Sequence, residues 1–541
     1  MNLKNKFSAT AFLAAICIST NANVFAFPAD SANRVTTQNE TNAEFEELRK
    51  EKKEASFVLQ GVKIISAMDF DGRERHEGEI VQNYLYKTVT LGKLNELATE
   101  ITKLYRENGF LAAVAYVPPQ QNINGVVEIV VIQGFYDEIK IDNRVNFSPE
   151  KIERIVSKIK VGDPVRKMAL EDVLYKLNDI DGIKASGFFT QGKKEGSTVL
   201  NITIDLDKAS RHILYTDNYG NRSSGQYRVG LLNDFYNVDD SGTKITVGGL
   251  LSTKNSMDLY ADANFVLPSK GIVNRLGFHV GRSSYKLGDE YRDLDANGNL
   301  MNFSVYGTTT VRKTIQSSVS YIYGINYNDM KDNIDAFGIE ALKHSYSAHI
   351  GVIGNERWKN NHFVFTQRFT VGHLVNDSEY ANYLNVFNDT EGVYYKLNHD
   401  FDFTHEINDR LDFRIQGSWQ LANRNLDSSE RMALTGINGI KAYPSSDLSV
   451  DTGYLVRGIL TYKTGIKYLS TNIFIEHAEG KPRKMIDYNV ALHGWGIGLS
   501  YAKPDDFFIK LDYARRIGFD EALSERAKAK GRFWFIAGKI F

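Results

Sequence analysis

Residues 411–421 read Leu-Asp-Phe-Arg-Ile-Gln-Gly-Ser-Trp-Gln-Leu. In an extended chain Leu411, Phe413, Ile415, Gly417, Trp419 and Leu421 fall on one face, and Asp412, Arg414, Gln416, Ser418 and Gln420 on the other. A period of two held over about 9–11 residues matches a tilted strand that crosses a bilayer with one greasy and one wet side. The preceding stretch repeats the pattern, with Tyr395, Leu397, His399, Phe401 and Phe403 opposed to Lys396, Asn398, Asp400 and Asp402. Upstream, Val319, Tyr321, Tyr323, Ile325 and Tyr327 form a third such face.

Outward from these strands the same period runs from Arg211 to the last strand, Arg532–Phe541. The connections alternate in length. Long ones at 285–300, 328–341, 375–391, 423–450 and 518–530 are separated by short ones such as Lys313–Ser318, Ile407–Arg410 and Lys503–Asp506. Outer-membrane barrels have short periplasmic turns and longer outside loops, and an even number of strands; the count here is roughly sixteen. Past the N-terminal region no stretch offers 18 consecutive apolar residues, so a membrane span has to be a closed barrel, whose backbone groups pair without water. The expected fold is a membrane all-β, 16-stranded transmembrane barrel over 210–541, preceded by two α/β units. Aromatic content of 12% in a chain of net charge −1 suits a lipid-facing surface and speaks against nucleic-acid binding.

The first 26 residues read as a secretory signal: Lys4 and Lys6, a short apolar run Phe7–Ile18, and a small-residue cleavage site Val24-Phe25-Ala26. The one cysteine, Cys17, lies within it, so a mature chain from Phe27 has no disulfide or thiolate metal site. Residues 27–55 form a polar linker. Within it Thr41–Ala55 has helix signals, a capping-box spacing Thr41/Glu44 and an i,i+4 pair Glu46/Lys50, but few apolar residues (Phe45, Leu48). A solvated linker helix and a docking or plug helix are both open readings.

Residues 56–134 and 135–209 read as two small α/β units. The first has a strand Val58–Ile65, a helix Leu91–Asn108 and strands Ala112–Val117 and Val126–Ile132. The second has a strand Asp137–Ile141, a helix capped by Ser148 with Pro149 at its first position, a helix Met168–Asp179, and strands Ile183–Thr190 and Thr198–Asp205. In the first, Tyr105-Arg-Glu-Asn-Gly109-Phe110 closes a helix, Pro118-Pro-Gln120 ends a strand, Gly125 makes a hairpin and Gln133-Gly134 closes the unit. In the second stand Leu174-x-x-Leu177-Asn178-Asp179-x-x-Gly182 and Gly196-Ser-Thr-x-Leu200, and the barrel opens with Asp217-Asn218-x-Gly220 and Gly225-x-x-Arg228. In this order the motifs resemble the two POTRA domains and the first barrel hairpin of two-partner secretion transporters of the ShlB/FhaC/HecB type, from Phe57 to Phe541.

That resemblance implies a monomeric outer-membrane pore with periplasmic POTRA domains. Such a pore exports an unfolded partner, a β-helical exoprotein such as an adhesin, haemolysin or contact-dependent inhibition toxin, without cofactor, metal or ATP. It also implies that a sixth outer loop, here 423–450, folds back into the lumen and carries a Val-Arg-Gly-Tyr signature opposed by an aspartate in a Phe-x-Asp motif. Here the signature reads Gly439-Ile440-Lys441-Ala442-Tyr443, and the partner motif Phe474-Ile475-Glu476. The expectation is a Lys441–Glu476 side-chain pair, a single-point contact because lysine lacks the planar fork of arginine; the alternative is a lysine facing lumen water.

Other signals are weaker. Asp293-Leu-Asp295-Ala-Asn297-Gly298 begins like a calcium loop, but the twelfth position is Ser304 rather than glutamate, and turn chemistry explains the composition. No nucleophile elbow, H-E-x-x-H motif or phosphate-binding loop occurs, so no enzyme is expected. The rival readings are an assembly insertase, which usually carries more POTRA units, and a passive porin, which needs none.

Overall fold

The computed structural model describes residues 56–541 except 122–123, 195, 255, 270–271, 485–487 and 519–529. The signal, Cys17, the linker helix at 41–55 and most of the loop 518–530 lie outside the described residues. The chain divides into two compact units near Lys208.

In the N-terminal unit, the first α/β layer runs β1 (Phe57–Val58), β2 (Gly61–Ser66), α1 (Arg73–Gln82), β3 (Thr88–Val89), α2 (Leu91–Glu107), β4 (Val114–Tyr116) and β5 (Val126–Ile132). Its main sheet has the order β2-β5-β4, with β2 and β5 parallel. Helix α2 starts where the Thr90 side chain accepts the Lys93 N–H, and buries Leu94, Leu97, Ala98, Ile101 and Tyr105 at helical spacing against the sheet. The second layer runs β6 (Phe135–Asn143), α3 (Pro149–Val156), α4 (Lys167–Asn178), β7 (Ile183–Gln191) and β8 (Ser197–Leu206), with sheet order β6-β8-β7. Ser148 caps α3 and Pro149 opens it, as the sequence suggested.

Two expectations need correction here. The strand Val58–Ile65 is broken: the Leu59 N–H turns to Lys87 O and the Gln60 N–H to Gly125 O, splitting it into β1 and β2. Helix α1 went unread, because Arg-Glu-Arg-His-Glu-Gly-Glu-Ile-Val-Gln buries only Glu77 and Val81 and so shows no apolar stripe.

The second unit is a closed antiparallel barrel of sixteen strands. They are β9 (Ser210–Asp217), β10 (Arg228–Phe235), β11 (Lys244–Ser252), β12 (Met257–Ser269), β13 (Ile272–Lys286), β14 (Ala296–Lys313), β15 (Ser317–Ile334) and β16 (Ile339–Trp358). There follow β17 (Asn361–Asn376), β18 (Gly392–Asn408) and β19 (Leu411–Ala422). A minor hairpin, β20 (Met432–Ala433) with β21 (Ser449–Val450), sits within the loop after β19. The wall then continues with β22 (Thr452–Lys463), β23 (Leu469–Lys481), β24 (Val490–Ala502), β25 (Phe507–Arg516) and β26 (Gly531–Ile540). The alternation is physical: Tyr321, Tyr323, Ile325 and Tyr327 of β15 stand exposed on the outer face, while Ser320 and Ile322, on either side of Tyr321, are buried.

Two loops are shorter than expected. Strands β15 and β16 keep pairing up to Ile334 opposite Ile339, so 328–341 is mostly ladder. Likewise β13 and β14 leave only a 3-10 turn, Asp289–Leu294, between them. Above the membrane both faces of a strand meet water, so the apolar alternation that marks a strand stops before the strand does. The loop 375–391 carries a helix, Glu379–Asn388.

Closure joins β26 to β9 over five residue pairs, from Asp217 opposite Ile536 to Ile213 opposite Ile540. Each of the other main-barrel seams that can be followed is longer, the β10–β9 pairing next to it spanning Arg228–Phe235.

Candidate functional site

The loop after β19 folds into the barrel and forms a buried cluster with the wall. Leu434, Ile440, Ala442 and Tyr443 of the loop pack with Leu455, Phe474, Ala478, Leu492 and Ala514 of the strands. The wall makes room for it. On the inward face of β24 stand Gly494, Gly496 and Gly498, between outward Trp495, Ile497 and Leu499. A Cβ on Gly494 would lie 3.0 Å from Ile440 Cγ2 and 3.2 Å from Ala442 Cβ, so the loop tip rests on bare backbone. Gly439 is equally constrained, since a Cβ there would come within 2.3 Å of the Leu434 carbonyl oxygen.

The structure brings Lys441 and Glu476 together, but not as a side-chain pair. The Glu476 carboxylate accepts the backbone N–H of Lys441 at 2.8 Å and is paired to the Arg457 guanidinium at 2.5 Å. The Lys441 ammonium instead meets Asp512 on β25 at 2.7 Å and lies 4.2 Å above the Phe474 ring. The reason is register. Arg457 stands directly opposite Glu476 across β22–β23, so that carboxylate already has a cation. The glycines of β24 then leave the lysine a clear path to the next strand.

The rest of the tip is fastened by hydrogen bonds. Arg457 donates to Gly439 O at 2.7 Å, and Trp534 Nε1 donates to Lys441 O at 2.7 Å. Arg516 lies 4.5 Å over the Tyr443 ring. Beyond the tip, Ser445 Oγ donates to Tyr219 O at 2.7 Å, which links this loop to the first outer loop. Sequence reading missed Arg457, Asp512, Arg516 and Trp534. The signal that could have found the docking wall is Gly494-Trp-Gly496-Ile-Gly498, three successive inward positions of one strand that are all glycine.

The barrel-opening motif closes the short seam. Asp217 takes the Arg228 guanidinium at 2.8 Å. Asn218 then stands in for backbone: its Nδ2 donates to Phe533 O and its Oδ1 accepts the Phe535 N–H, both at 2.8 Å, extending the β9–β26 ladder by a side chain. Gly220 is needed because a Cβ there would fall 2.0 Å from Gly225 O.

The motif residues of the α/β units serve their architecture. The Tyr105 hydroxyl donates to Glu77 at 2.6 Å inside the first core; burial and this carboxylate push the phenol up to about 12. Gly109 adopts φ 91° and turns the chain so that Phe110 lies buried under Arg166, 3.9 Å above its ring. The Lys167 N–H donates to Gly109 O and the Val165 N–H to Gly134 O, so these glycines sit at the junction of the two layers. Just after β4, Gln120 exchanges two 2.7 Å hydrogen bonds with the backbone of Glu128 and also donates to Pro118 O, so one side chain prolongs the sheet edge. Gly125 makes the turn at φ 74°. In the second layer Asn178 clamps helix to strand, exchanging hydrogen bonds with Ala185 at 2.7 and 2.8 Å, and Gly182 turns between them at φ 89°.

The calcium-like segment is engaged with itself: Asp295 pairs with Lys286 at 2.6 Å, and Asn297 donates to Asp335 at 2.7 Å. Among the described residues no cluster of three or more His, Cys, Asp or Glu is arranged for a metal, and no helix is long and apolar enough to cross a membrane.

Comparison with known proteins gives this geometry a family. Residues 57–134 match the POTRA domain, ShlB-type, and residues 196–501 match the haemolysin secretion/activation protein ShlB/FhaC/HecB. The heme/hemopexin transporter protein HuxB of Haemophilus influenzae (strain 86-028NP) is 25% identical over 508 residues, 91% of this chain and 88% of that protein. The outer membrane transporter CdiB of Dickeya dadantii (strain 3937) is 22% identical over 266 residues, 47% of this chain and 46% of that protein. Among solved structures, CdiB from Escherichia coli superposes with TM-score 0.65 at 15% identity, covering 94% of each chain. BamA from Haemophilus ducreyi lacking POTRA domains 1-3 gives 0.54 at 11% identity, covering 90% of this chain and all of that one. The 16-stranded barrel with a ShlB-type POTRA domain before it belongs to the haemolysin secretion/activation ShlB/FhaC/HecB family of outer-membrane transporters.

Proposed function

We propose that this chain is the outer-membrane pore that exports a large secreted partner, taken up unfolded from the periplasm through two POTRA-like units and released outside. The observation that carries the reading is the loop tip. A segment of the chain packs against the inner wall and is fastened by one ion pair, Lys441–Asp512, and by hydrogen bonds from the Lys441 N–H to Glu476 and from Arg457 to Gly439 O. Such a fastening can be undone without unfolding the wall, which is what a pore with an unfolded cargo needs. Lys441, Tyr443, Glu476, Gly439 and Phe474 then act as the lock between loop and barrel, with Asp512 as the ammonium's partner.

Capture has a place in the fold. The sheets β2-β5-β4 and β6-β8-β7 each end in edge strands with unpaired backbone groups, to which an extended segment can add as a further strand. Recognition by backbone tolerates many side chains, as a long β-helical partner requires. The sequence holds no phosphate-binding loop; folding of the partner outside makes the passage one-way. On this reading residues 1–26 direct export and the chain works as a monomer in outer-membrane lipid.

The test is secretion of a large β-helical exoprotein co-expressed with this chain, with the chain intact and with residues 57–209 deleted. Export is expected only with the intact chain. Unchanged export, with loss of other barrel proteins from the outer membrane, would replace this reading with an insertase.

A further inference from the structure

The loop is held at a second place, of opposite charge. On its way down from β19, Asp427 caps the short 3-10 turn Ser428–Glu430 with one carboxylate oxygen, which accepts the Ser429 N–H at 3.0 Å. Its other oxygen takes the Lys343 ammonium of β16 at 2.8 Å. Three residues on, Glu430 pairs with Lys396 of β18 at 2.5 Å, and its backbone oxygen accepts from Lys396 and from Gln420, each at 3.2 Å. These four side chains are between 9% and 16% exposed, so both pairs are largely withdrawn from water. Strand β17 lies between β16 and β18, and Arg368 stands on its inward face, as Lys343 and Lys396 do on theirs. The nearby wall acids are Asp332, 3.7 Å from Lys343, and Asp400, two positions from Lys396 on the same face.

The limb therefore presents two carboxylates to a cationic strip, while the tip presents an ammonium to Asp512 and a backbone N–H to Glu476. The two contacts lie on different parts of the wall, β16–β18 and β22–β25, and share no side chain. We propose that Asp427 and Glu430 on Lys343 and Lys396 form an electrostatic latch that holds the loop limb in the lumen independently of the tip, so that the pore opens fully only when both are released. Asp427, Glu430, Lys343 and Lys396 are positioning residues here: they act on the loop and touch no cargo. The inference rests on reading the barrel as a pore; channel conductance reports the latch, while export of the partner reports the reading, so each can fail alone.

The experiment uses the full chain in planar lipid bilayers, with heat-modifiability on a gel as the check that each barrel is folded. Asp427→Asn with Glu430→Gln should raise the fraction of time in the large-conductance state by about tenfold, equivalent to about 1.4 kcal/mol shared by the two pairs. Exchanging the charges, Asp427→Lys and Glu430→Lys with Lys343→Glu and Lys396→Glu, should bring that fraction back toward wild type; a merely structural role would not be rescued by reversed signs. Should the double neutral variant fail to fold, Glu430→Gln alone and its swap with Lys396→Glu are read in the same way. The latch is overturned when the neutral variants gate like wild type, or when the charge-exchanged chain is as open as the neutral one.

Discussion

The two ends of the lumen loop are held by the same kind of bond in different surroundings. At the tip, Lys441 and Asp512 are 6% and 1% exposed and sit in an apolar cluster with Ile440, Ala442 and Phe474. At the limb, the pairs to Lys343 and Lys396 are 9–16% exposed and are surrounded by other polar partners, Ser429, Gln420 and the Glu430 backbone oxygen. Breaking a buried pair in apolar surroundings strands a charge with nothing to solvate it and costs about 3–5 kcal/mol, whereas a lysine freed at the limb keeps hydrogen-bond acceptors beside it and loses less. The tip is thus a strong, all-or-none fastening and the limb a weak, adjustable one. A loop that must leave and return is better served by this inequality than by two equal clamps.

The largest effect expected from this difference is at the tip's seat. Gly494→Leu puts a side chain where Ile440 and Ala442 now rest; the tip should be expelled, with persistent large conductance and raised uptake of antibiotics too big for porins. If Gly494→Leu gates normally, the tip does not depend on that wall. Next comes Lys441→Ala, which removes the nearer of two cations on Asp512 and leaves it Lys510 at 3.6 Å; it should destabilise the closed loop by about 3 kcal/mol, measured as open probability. Lys441→Arg sharpens the point. A guanidinium offers a fork of donors, so this variant should close at least as well as wild type unless the glycine path is too narrow for it.

A smaller effect marks the boundary of the comparison. Tyr105→Phe removes the donor to Glu77 in the first α/β core and should lower the thermal stability of that unit by about 1–3 kcal/mol while leaving conductance unchanged. The wild-type phenol, raised from 10 to about 12, gives the unit a high-pH signature. Below pH 10 both folded and unfolded tyrosine keep the proton; between pH 10 and 12 the unfolded chain loses it first, so stability falls across that window. The Phe variant should show a shallower fall, read from chemical denaturation at several pH values.

Much of this architecture was legible from residue patterns. Alternation around Leu411–Leu421 and the unequal connections were enough for the barrel, because lipid on one side and water on the other leave a period of two in the sequence. Ser148-Pro149 and the stripe Leu94, Leu97, Ile101, Tyr105 placed helices to within a residue or two. Lys441 and Glu476 were found by position in the motifs, but their partners were not. Pairing across a sheet depends on register, which sets Arg457 against Glu476, and on which strands are bare enough to reach across, which sends Lys441 to Asp512. Asn218 illustrates the same limit. Its motif was recognisable, yet its work as a surrogate for missing backbone pairs appears only when β26 has been placed beside β9.

The wall itself is of uneven height. Strand β16 has 20 residues and β9 has 8; at about 3.4 Å per residue that is roughly 68 Å of strand against 27 Å. The long strands β15 and β16 run out to the turn at Phe337, while the short β9 and β10, beside the β26–β9 seam, are joined by the loop that holds Tyr227. The mouth is therefore a spout, with a parapet on one side and a low lip on the other. A polypeptide leaving it spills over the lip, and a photo-crosslinker at Tyr227 should catch it more often than one at Phe337. On the proposed export reading, the tall side flanks the emerging chain and the low side leaves it open.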